Sequence, residues 1–305
     1  MKRTVLLLLL LCPTLILAQQ QPQTTQALTN LVERVAAPTY SDRYCSGFLS
    51  KAEIGKGNYI VAALNSPNAT QFAQDDLVFL QGSGYQEGQQ FSIVRELRDP
   101  NRQPIFPGQA AAIAGAGQPY ADLGRVRVLA IRGKTAVAVI EFSCSGIVPG
   151  DVLVPFQERP PVSYKQNTGF EQFPSAPASV VGRIVMAKEF DSVVGVGQKV
   201  YLNVGADKGV KVGDYFRAVR SYDPAAADAT EAISKRSAYS EDTQKNPLAI
   251  AGATYAELPR HAIAEMVVLN VTPSSATAMI TMSLEHINIG DTAELEGSAA
   301  ATPQQ

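Results

Sequence analysis

The feature of this sequence that most constrains its fold is an internal repeat. Residues 263–291 align without a gap with residues 123–151, so that Ala276, for example, falls opposite Ala136. Each copy reads as an apolar strand, a tight turn, a second apolar strand and a Gly-Asp turn into a third strand. Repetition has to be settled before a fold is chosen, and this repeat predicts two copies of one β-domain in tandem.

The match between the copies extends upstream of this central segment. Three further pairs of segments correspond: 78–80 with 200–202, 88–91 with 213–216, and 46–48 with 181–183. Short runs rich in Val, Ile, Phe and Leu are separated by Gly, Asn, Pro and Asp, which is typical of strands joined by turns. We therefore predict an all-β protein of two tandem copies of a small six- to seven-stranded barrel-like domain, with a sandwich as the alternative. Long loops and a short N-terminal helix complete this prediction.

The domain organisation follows from changes in composition along the chain. The predicted segments are a signal peptide at 1–18, a leader at 19–42, β-domain copy 1 at 43–157, a Pro-rich linker at 158–179, β-domain copy 2 at 180–296 and a disordered tail at 297–305. Apolar residues at helical spacing predict a short helix at 25–35, with a mobile leader as the alternative. The prolines of the linker predict an extended, irregular chain in which Phe170 and Phe173 are candidates for docking on a neighbouring domain.

The two copies share a long connection at the same place in the strand order. The predicted strands are 46–53, 59–64, 77–81, 90–97, 123–131, 135–143 and 152–154 in copy 1, and 182–190, 199–203, 215–222, 263–271, 276–282 and 292–294 in copy 2. The long connections occupy 99–122 and 223–261. Long loops inside compact domains are commonly functional, so we expect both connections to protrude and to contact partners.

Residues 1–18 have the pattern of an export signal. Lys2 and Arg3 precede a short apolar run, and Ala18 is a suitable cleavage residue. An uncleaved anchor is the alternative, whereas lipid attachment at Cys12 is disfavoured because leucines precede it. Apart from this segment, no stretch is long and apolar enough to cross a bilayer. We expect a periplasmic or secreted protein.

Composition excludes several classes of protein. Hydrophobic residues make up 46% of the chain and charged residues 18%, which favours folded domains over disorder. The formal net charge is −2 and becomes −4 when Lys2 and Arg3 leave with the signal. A chain with this net charge has no excess of positive side chains to neutralise phosphates, so we do not expect nucleic-acid binding.

Two cysteines remain after signal removal, and we predict a disulfide between Cys45 and Cys144. An exported chain meets an oxidising compartment. In the repeat, Cys144 aligns with Leu284 and Cys45 falls near Val180, so the pair takes the place of two apolar residues expected to be cross-strand neighbours. Two buried free thiols are the alternative. With no Cys-x-x-Cys motif, redox catalysis and structural zinc are disfavoured.

Gly-Asp pairs recur where strands begin. They are Gly150-Asp151, Gly213-Asp214 and Gly290-Asp291. Glycine permits positive φ, and aspartate can accept hydrogen bonds from the nearby backbone, so we interpret the pairs as structural turns. A metal- or substrate-binding carboxylate is the alternative.

The sequence contains no recognised catalytic signature. His261 and His286 are isolated from second ligands and from nucleophiles. Nucleophile elbows, phosphate loops, dinucleotide fingerprints and His-Glu-x-x-His motifs do not occur. We expect no enzyme activity, no catalytic residue, no metal and no cofactor.

Four aromatic residues in or beside the long connections are candidates for partner binding. They are Phe106, Tyr120, Tyr239 and Tyr255. Aromatic side chains outside the strand pattern are less readily explained as core than those within it.

Residues 200–220, together with 263–295, resemble a module of exported bacterial proteins. The stretch Gly205-x-x-x-Gly209-Val210-x-x-Gly213-Asp214 leads into a strand, a long connection, a hairpin and a second Gly-Asp turn. This pattern is similar to the C-terminal domain of flagellar assembly protein T (FlgT) and to barrels that accompany LysM segments in envelope proteins. The resemblance implies a β-barrel with a non-catalytic role in the cell envelope, where an envelope protein or peptidoglycan would be the partner.

These observations lead to one main functional expectation and two rivals. The main one is an exported, non-enzymatic binding or assembly module that uses its long connections and the groove between its domains. The first rival is a periplasmic carrier of a small ligand or glycan, which requires a concave pocket in that groove. The second is an unfamiliar hydrolase, which requires clustered carboxylates or a Ser/His pair.

Overall fold

The computed structural model describes residues 29–31, 34–35, 37–64, 68–101, 103–162, 165, 169–220 and 259–298. The predicted signal peptide, most of the leader, nearly all of the second long connection and most of the tail lie outside the described residues. The described chain is almost entirely β and forms two closed barrels, which confirms the predicted fold class.

The elements of the N-terminal half are β1 (Thr29–Leu31), α1 (Tyr40–Tyr44), β2 (Phe48–Ser50), β3 (Tyr59–Ala63), β4 (Leu77–Gln81), β5 (Gln90–Glu96), α2 (Gln109–Ala116), β6 (Gln118–Arg132), β7 (Thr135–Ser143) and β8 (Val152–Pro155). Those of the C-terminal half are β9 (Gly169–Glu171), β10 (Val181–Ala187), β11 (Val193–Val194), β12 (Lys199–Leu202), a 3-10 turn (Ala206–Lys208), β13 (Asp214–Arg220), β14 (His261–Val271), β15 (Ala276–Ser283), β16 (Ile287–Asn288) and β17 (Thr292–Ser298).

The two barrels have the same circular strand order. Barrel 1 closes as β3-β4-β7-β6-β5-β8, and barrel 2 closes as β10-β12-β15-β14-β13-β17. All of these pairings are antiparallel. Because each strand of one ring has a counterpart in the other, the tandem repeat of the sequence is also a repeat of topology.

The barrels also share their irregularities. The β6–β7 pairing is bulged between Arg125 and Val126, and the β14–β15 pairing between Glu265 and Met266, at positions paired by the sequence repeat. The β3–β4 and β10–β12 pairings each skip one residue in the same place. Bulges re-aim strands and are specific features of a fold, so their recurrence supports one backbone course for both barrels.

Each barrel encloses its own apolar core. In barrel 1, burial alternates along β4, with Val78 and Leu80 inside. This alternation is expected because successive side chains point to opposite faces of a strand. In barrel 2, β14 and β15 are buried on both faces over most of their length, which requires cover on the outside of the barrel as well.

One segment correspondence predicted from the sequence is wrong. Residues 46–48 match 181–183 as a tripeptide, yet β2 lies outside the ring, where it extends the sheet beyond β6. The counterpart of β10 is β3, since Ile60 and Ile184 donate their amides at 3.0 Å to the carbonyls of Asp151 and Asp291. A tripeptide centred on glycine is too short to fix a register.

The predicted N-terminal helix also lies elsewhere. Thr29–Leu31 is a strand that pairs with β9, whereas the short helix is α1, closed by a capping box between Thr39 and Asp42. Tertiary pairing overrides a weak helical spacing of apolar residues. The first long connection, expected to be irregular, contains α2, whose alanine-rich sequence favours a helix.

Candidate functional site

The outside of barrel 2 is covered first by segments that belong to barrel 1. The strap, residues 46–50, and helix α2 lie against β10 and β12. Together they form an inter-barrel cluster, whose buried members are Leu49, Ala116, Val185, Met186 and Tyr201. Val185 and Tyr201 are both 0% exposed although they stand on the outside of the barrel.

Hydroxyl groups of barrel 2 fix the strap in place. Three of them donate to strap carbonyls: Thr277 to Gly47 at 2.9 Å, Ser275 to Leu49 at 2.8 Å and Tyr201 to Ser46 at 3.4 Å. Burial raises the pKa of Tyr201, so its phenol keeps the proton that it donates. Gly47 has φ +67°, and a Cβ at that position would collide with the Tyr201 hydroxyl. The approach of the two barrels therefore depends on this glycine.

The linker and the N-terminal segment cover a second side of barrel 2. Val162 and Val35 pack on a cluster formed by Tyr215, Val267, Leu269 and Met279. Beside this cluster, Arg34 pairs with Glu265 at 2.7 Å, and both side chains are at most 1% exposed. Lys165 also reaches Glu265, at 2.5 Å. These contacts explain why β14 is buried on both faces.

Within the described residues, no segment lies over the corresponding outside of barrel 1. Six apolar side chains that point outward from β3, β4, β6 and β7 form the bare face: Val61, Leu77, Phe79, Leu129, Val137 and Val139. The outward side chains of Arg127 and Glu141, which form an ion pair, border it. Phe79 stands opposite Val137, and Leu77 opposite Val139, so the face is continuous across the β4–β7 pairing. Val61 is 39% and Leu129 41% exposed, and the other four side chains are half-buried.

Paired positions show the contrast directly. Val61 is 39% exposed and its counterpart Val185 is 0% exposed, while Leu129 is 41% exposed and Leu269 is 0% exposed. At these positions the same backbone course thus presents an apolar side chain in both barrels. It is covered in barrel 2, whereas within the described residues no segment covers Val61 or Leu129.

Of the four aromatic residues suggested as partner contacts, two lie inside the protein. Phe106 is 4% exposed in the core of barrel 2, with its ring 3.0 Å from the place a Gly290 Cβ would take and the Arg183 guanidinium 5.1 Å above it. Tyr120 is 7% exposed and stacks on Phe48. Neither ring is a surface contact, which corrects the expectation for both. Tyr239 and Tyr255 lie outside the described residues.

The Gly-Asp pairs are tight turns in both barrels. The glycines Gly150, Gly213 and Gly290 have φ of 93°, 90° and 112°. Each following aspartate, Asp151, Asp214 or Asp291, accepts an amide hydrogen bond of 2.8 Å from the residue three positions earlier. Asp151 and Asp291 are also clamped by an arginine, from Arg95 and Arg220 respectively. Their oxygens are therefore engaged within the turn.

The disulfide between Cys45 and Cys144 is present, as predicted. Cys144 lies where the repeat places it. Its amide donates a hydrogen bond to the carbonyl of Leu123, and the amide of its counterpart Leu284 donates to the carbonyl of Ile263 in the same way. Cys45, however, ends α1 instead of standing on a barrel strand. The bridge consequently ties the start of the strap to barrel 1 and does not replace an apolar cross-strand pair.

A groove of about 430 Å³ runs between the barrels. Ser92 and Val154 line it from barrel 1, and Asn270 lines it from the β14–β15 hairpin. On its wall Arg159 pairs with Asp122 through two contacts of 2.8 and 3.0 Å. Asp122 also accepts the amide of Gly47, so this ion pair holds the strap as well as facing the groove.

Two further depressions lie beside α2, with volumes of about 650 and 480 Å³. They share Ile113 and Pro119 as apolar lining, and Asp99 and Gln118 as polar lining. The first long connection thus has its own concave surface, even though its Phe106 ring is buried in the core of barrel 2.

The described residues contain no group of three or more His, Cys, Asp or Glu side chains arranged to hold a metal ion. His261 has its Nε2 atom 3.7 Å from Glu285, and the carbonyl of His286 accepts a hydrogen bond from Arg220. Among these residues, none of the helices has the length and apolarity needed to cross a membrane.

No protein-family model matches the chain, and no curated protein is detectably similar to it.

The bare face was not predicted from the sequence, although the sequence contains a signal for it. Strands β4 and β7 read LVFLQ and TAVAVIEFS, with apolar residues on both faces. An antiparallel strand with one solvated face normally alternates apolar and polar residues, so these runs indicate a second surface that favours cover.

Proposed function

We propose that this protein is a non-enzymatic, exported binding or assembly module of the bacterial cell envelope, and that the bare face is its main contact surface. The observation that carries the proposal is that the covered surface on barrel 2 has a counterpart on barrel 1 that contains a continuous apolar face and that no described segment covers. Contiguous apolar patches on a protein surface commonly mark interaction sites.

Two further observations support an envelope role. The strand, turn and connection pattern of barrel 2 resembles the C-terminal domain of FlgT and LysM-associated barrels. A disulfide is typical of proteins in oxidising compartments such as the periplasm or the cell exterior. The apolar character of the bare face favours an envelope protein over peptidoglycan as the partner, because glycan strands present hydroxyl and amide groups.

Lysine substitution on the bare face tests the proposal. Val61→Lys places a charge at the edge of the face, and Val193→Lys is the matched control, since Val193 is also an exposed valine, 49% exposed, on the short strand β11 of barrel 2. Each tagged variant is cross-linked in native envelopes, and captured proteins are identified by mass spectrometry. We expect one partner to be retained by the wild type and by Val193→Lys, and lost with Val61→Lys. Retention of the same proteins by all three would refute the proposed surface.

The inter-domain groove supports a second candidate, a carrier of a small ligand or glycan. Its concave shape and the Arg159–Asp122 ion pair on its wall meet the basic requirements of a ligand site. Ser92→Trp would fill the groove from β5 without touching the bare face. A small molecule that co-purifies with the wild type and is absent from Ser92→Trp in native mass spectrometry would favour the carrier.

A further inference from the structure

We infer that the groove between the barrels is a binding site for an uncharged oligosaccharide, which Ser92 of barrel 1 and Asn270 of barrel 2 hold by hydrogen bonds. The inference rests on the carrier function proposed as the second candidate, because it takes the groove to be a ligand site and names the class of ligand. It does not depend on what contacts the bare face.

The groove is built where three parts of the chain meet. Barrel 1 lines it with Ser92, Val94 and Val154, the β14–β15 hairpin lines it with Asn270, and the chain that leaves barrel 1 lines it with residues 157–160. Sites for small ligands occur preferentially at interfaces between domains and have volumes of roughly 300–1,000 Å³. The groove, at about 430 Å³, lies within this range.

Two uncharged polar side chains, one from each barrel, are open to a ligand in the groove. Neither the hydroxyl of Ser92 nor the carboxamide of Asn270 makes a hydrogen bond to any described residue, and both side chains are half-buried. A hydroxyl and a carboxamide each offer both a donor and an acceptor. The hydroxyl groups of a sugar have the same double capacity, so a sugar can bond to both residues at once.

The charged side chains of the groove disfavour a charged ligand. The two terminal nitrogens of Arg159 already donate to Asp122 at 2.8 and 3.0 Å, so the charge of this arginine is compensated within the wall. Glu158 is exposed and forms no ion pair within the described part of the chain. An anion would meet this carboxylate without a free cation to offset it, and the attraction of Glu158 for a cation is weakened by water and salt.

The rest of the lining suits the C–H faces of sugar rings. Phe48, Val94, Val154 and Val212 give the groove apolar walls. A sugar ring presents hydroxyl groups at its edge and C–H groups on its faces, so it can use the apolar walls and the polar side chains together. Exposed residues such as Pro155 also line the groove, which is therefore open on one side and fits a segment of a longer glycan.

Isothermal titration calorimetry of the disulfide-bonded protein with matched tetrasaccharides tests the charge of the ligand. Chitotetraose and cellotetraose are uncharged, fully deacetylated chitotetraose is cationic, and tetragalacturonate is anionic. We expect saturable binding of at least one uncharged sugar, and weaker binding or none with the two charged ones. Binding of neither uncharged sugar, or tighter binding of a charged one, would overturn the inference.

Substitutions in the groove test its position. Asn270→Leu keeps the size of the side chain and removes its hydrogen bonds, so it should weaken binding by about tenfold, which corresponds to about 1.4 kcal/mol. Ser92→Trp fills the groove and should abolish binding. Ser83→Trp is the matched control, because Ser83 is an exposed serine of barrel 1 that does not line the groove, and it should bind like the wild type.

Circular dichroism checks that the variants are folded. Wild-type affinity in folded Asn270→Leu or in folded Ser92→Trp would overturn the inference. If a small molecule that is not a carbohydrate co-purifies with the wild type and is lost from Ser92→Trp, the carrier function stands and the class of ligand is wrong. If no sugar binds while Val61→Lys still loses its envelope partner, the binding or assembly module stands and the groove is not a sugar site.

Discussion

Barrels 1 and 2 are alike inside and unlike outside. They share circular strand order, bulge positions and an arginine clamp on the Gly-Asp turn, with Arg95 holding Asp151 at 2.7 Å and Arg220 holding Asp291 at 3.0 Å. The hydrogen bonds from Arg95 to Asp151 raise the pKa of that arginine. Features that define the backbone course have therefore been kept in both copies.

The exteriors differ because the described segments of the chain cover only one of them. Strands of barrel 2 are buried on both faces beneath the strap, α2, the linker and the N-terminal segment, whereas the bare face of barrel 1 remains accessible. Features found in a single barrel belong to these attachments: the disulfide anchors the strap, and the Arg34–Glu265 pair anchors the N-terminal segment. The two copies therefore differ where neighbouring segments contact them and are alike in their cores.

The largest effect is expected from one substitution made in both barrels. Val185→Lys would bury a charge between α2 and the strap, and we expect it to cost about 5 kcal/mol because the ammonium finds no built partner there. Val61→Lys, at the paired and exposed position, should change stability by no more than about 0.5 kcal/mol. Urea midpoints measure the two values, and equal losses would contradict the assignment of covered and bare surfaces.

The second-largest difference in stability between the barrels is expected when the disulfide is removed. Cys45→Ala combined with Cys144→Ala opens a loop with a sequence separation of 99 residues, and the chain-entropy estimate for such a loop is about 4–5 kcal/mol. Amide hydrogen exchange should show the loss in barrel 1 and the strap, with the interior of barrel 2 retaining its protection. Uniform loss of protection in both barrels would mean that they unfold as one unit.

The interior of both barrels could be read from the sequence, since it follows local rules. Alternating burial along β4 and positive φ at Gly150 and Gly290 follow from strand periodicity and turn chemistry. The same rules placed most strand boundaries within one or two residues of those observed. The β3–β10 correspondence was missed, because hydrogen-bond register and not a shared tripeptide defines it.

The exterior could not be read in this way, because cover depends on where distant segments lie. From the sequence, Phe106 was a candidate for contact with another protein because it lies in a long connection. In the structure its ring packs in the core of the second barrel of the same chain. Thr29–Leu31 looked helical by spacing and pairs with a strand far along the chain. No pattern local to either segment contains these long-range contacts.

A smaller effect is expected when barrel 2 is given the residue that barrel 1 has. Thr277→Val preserves shape, removes the hydroxyl that donates to Gly47 at 2.9 Å and leaves a buried carbonyl without that donor, at a cost of about 1–3 kcal/mol. The reverse change, Val137→Thr on the bare face, should alter stability by less than about 0.5 kcal/mol, because water can serve its hydroxyl. Thermal unfolding of both variants measures the difference, and similar shifts would show that the strap contact contributes little.

The last difference concerns acid and salt. Burial raises the pKa of Glu265, but hydrogen bonds from Arg34 and Lys165 outweigh it, so the pKa lies below its ordinary value of 4.5. In barrel 1, burial raises the pKa of Glu141 in the same way. Interactions with Arg127, Gln90 and Arg125 outweigh this effect, so the pKa of Glu141 is also lowered. A depressed carboxyl pKa stabilises the fold at pH above the unfolded value, and this stabilisation is lost as pH falls through the folded value.

Both barrels should therefore lose stability below about pH 4.5, in the window between the ordinary carboxyl pKa and the depressed one. The side chain of Glu265 is 0% exposed and that of Glu141 is 18% exposed, so salt should screen the pair in barrel 1 more strongly. Hydrogen exchange at falling pH, with and without added salt, should show an acid effect that salt reduces in β6 and β7 but leaves in β14 and β15. If salt reduced the acid effect equally in both hairpins, Glu265 would be in contact with solvent. That result would contradict the difference in burial between Glu265 and Glu141.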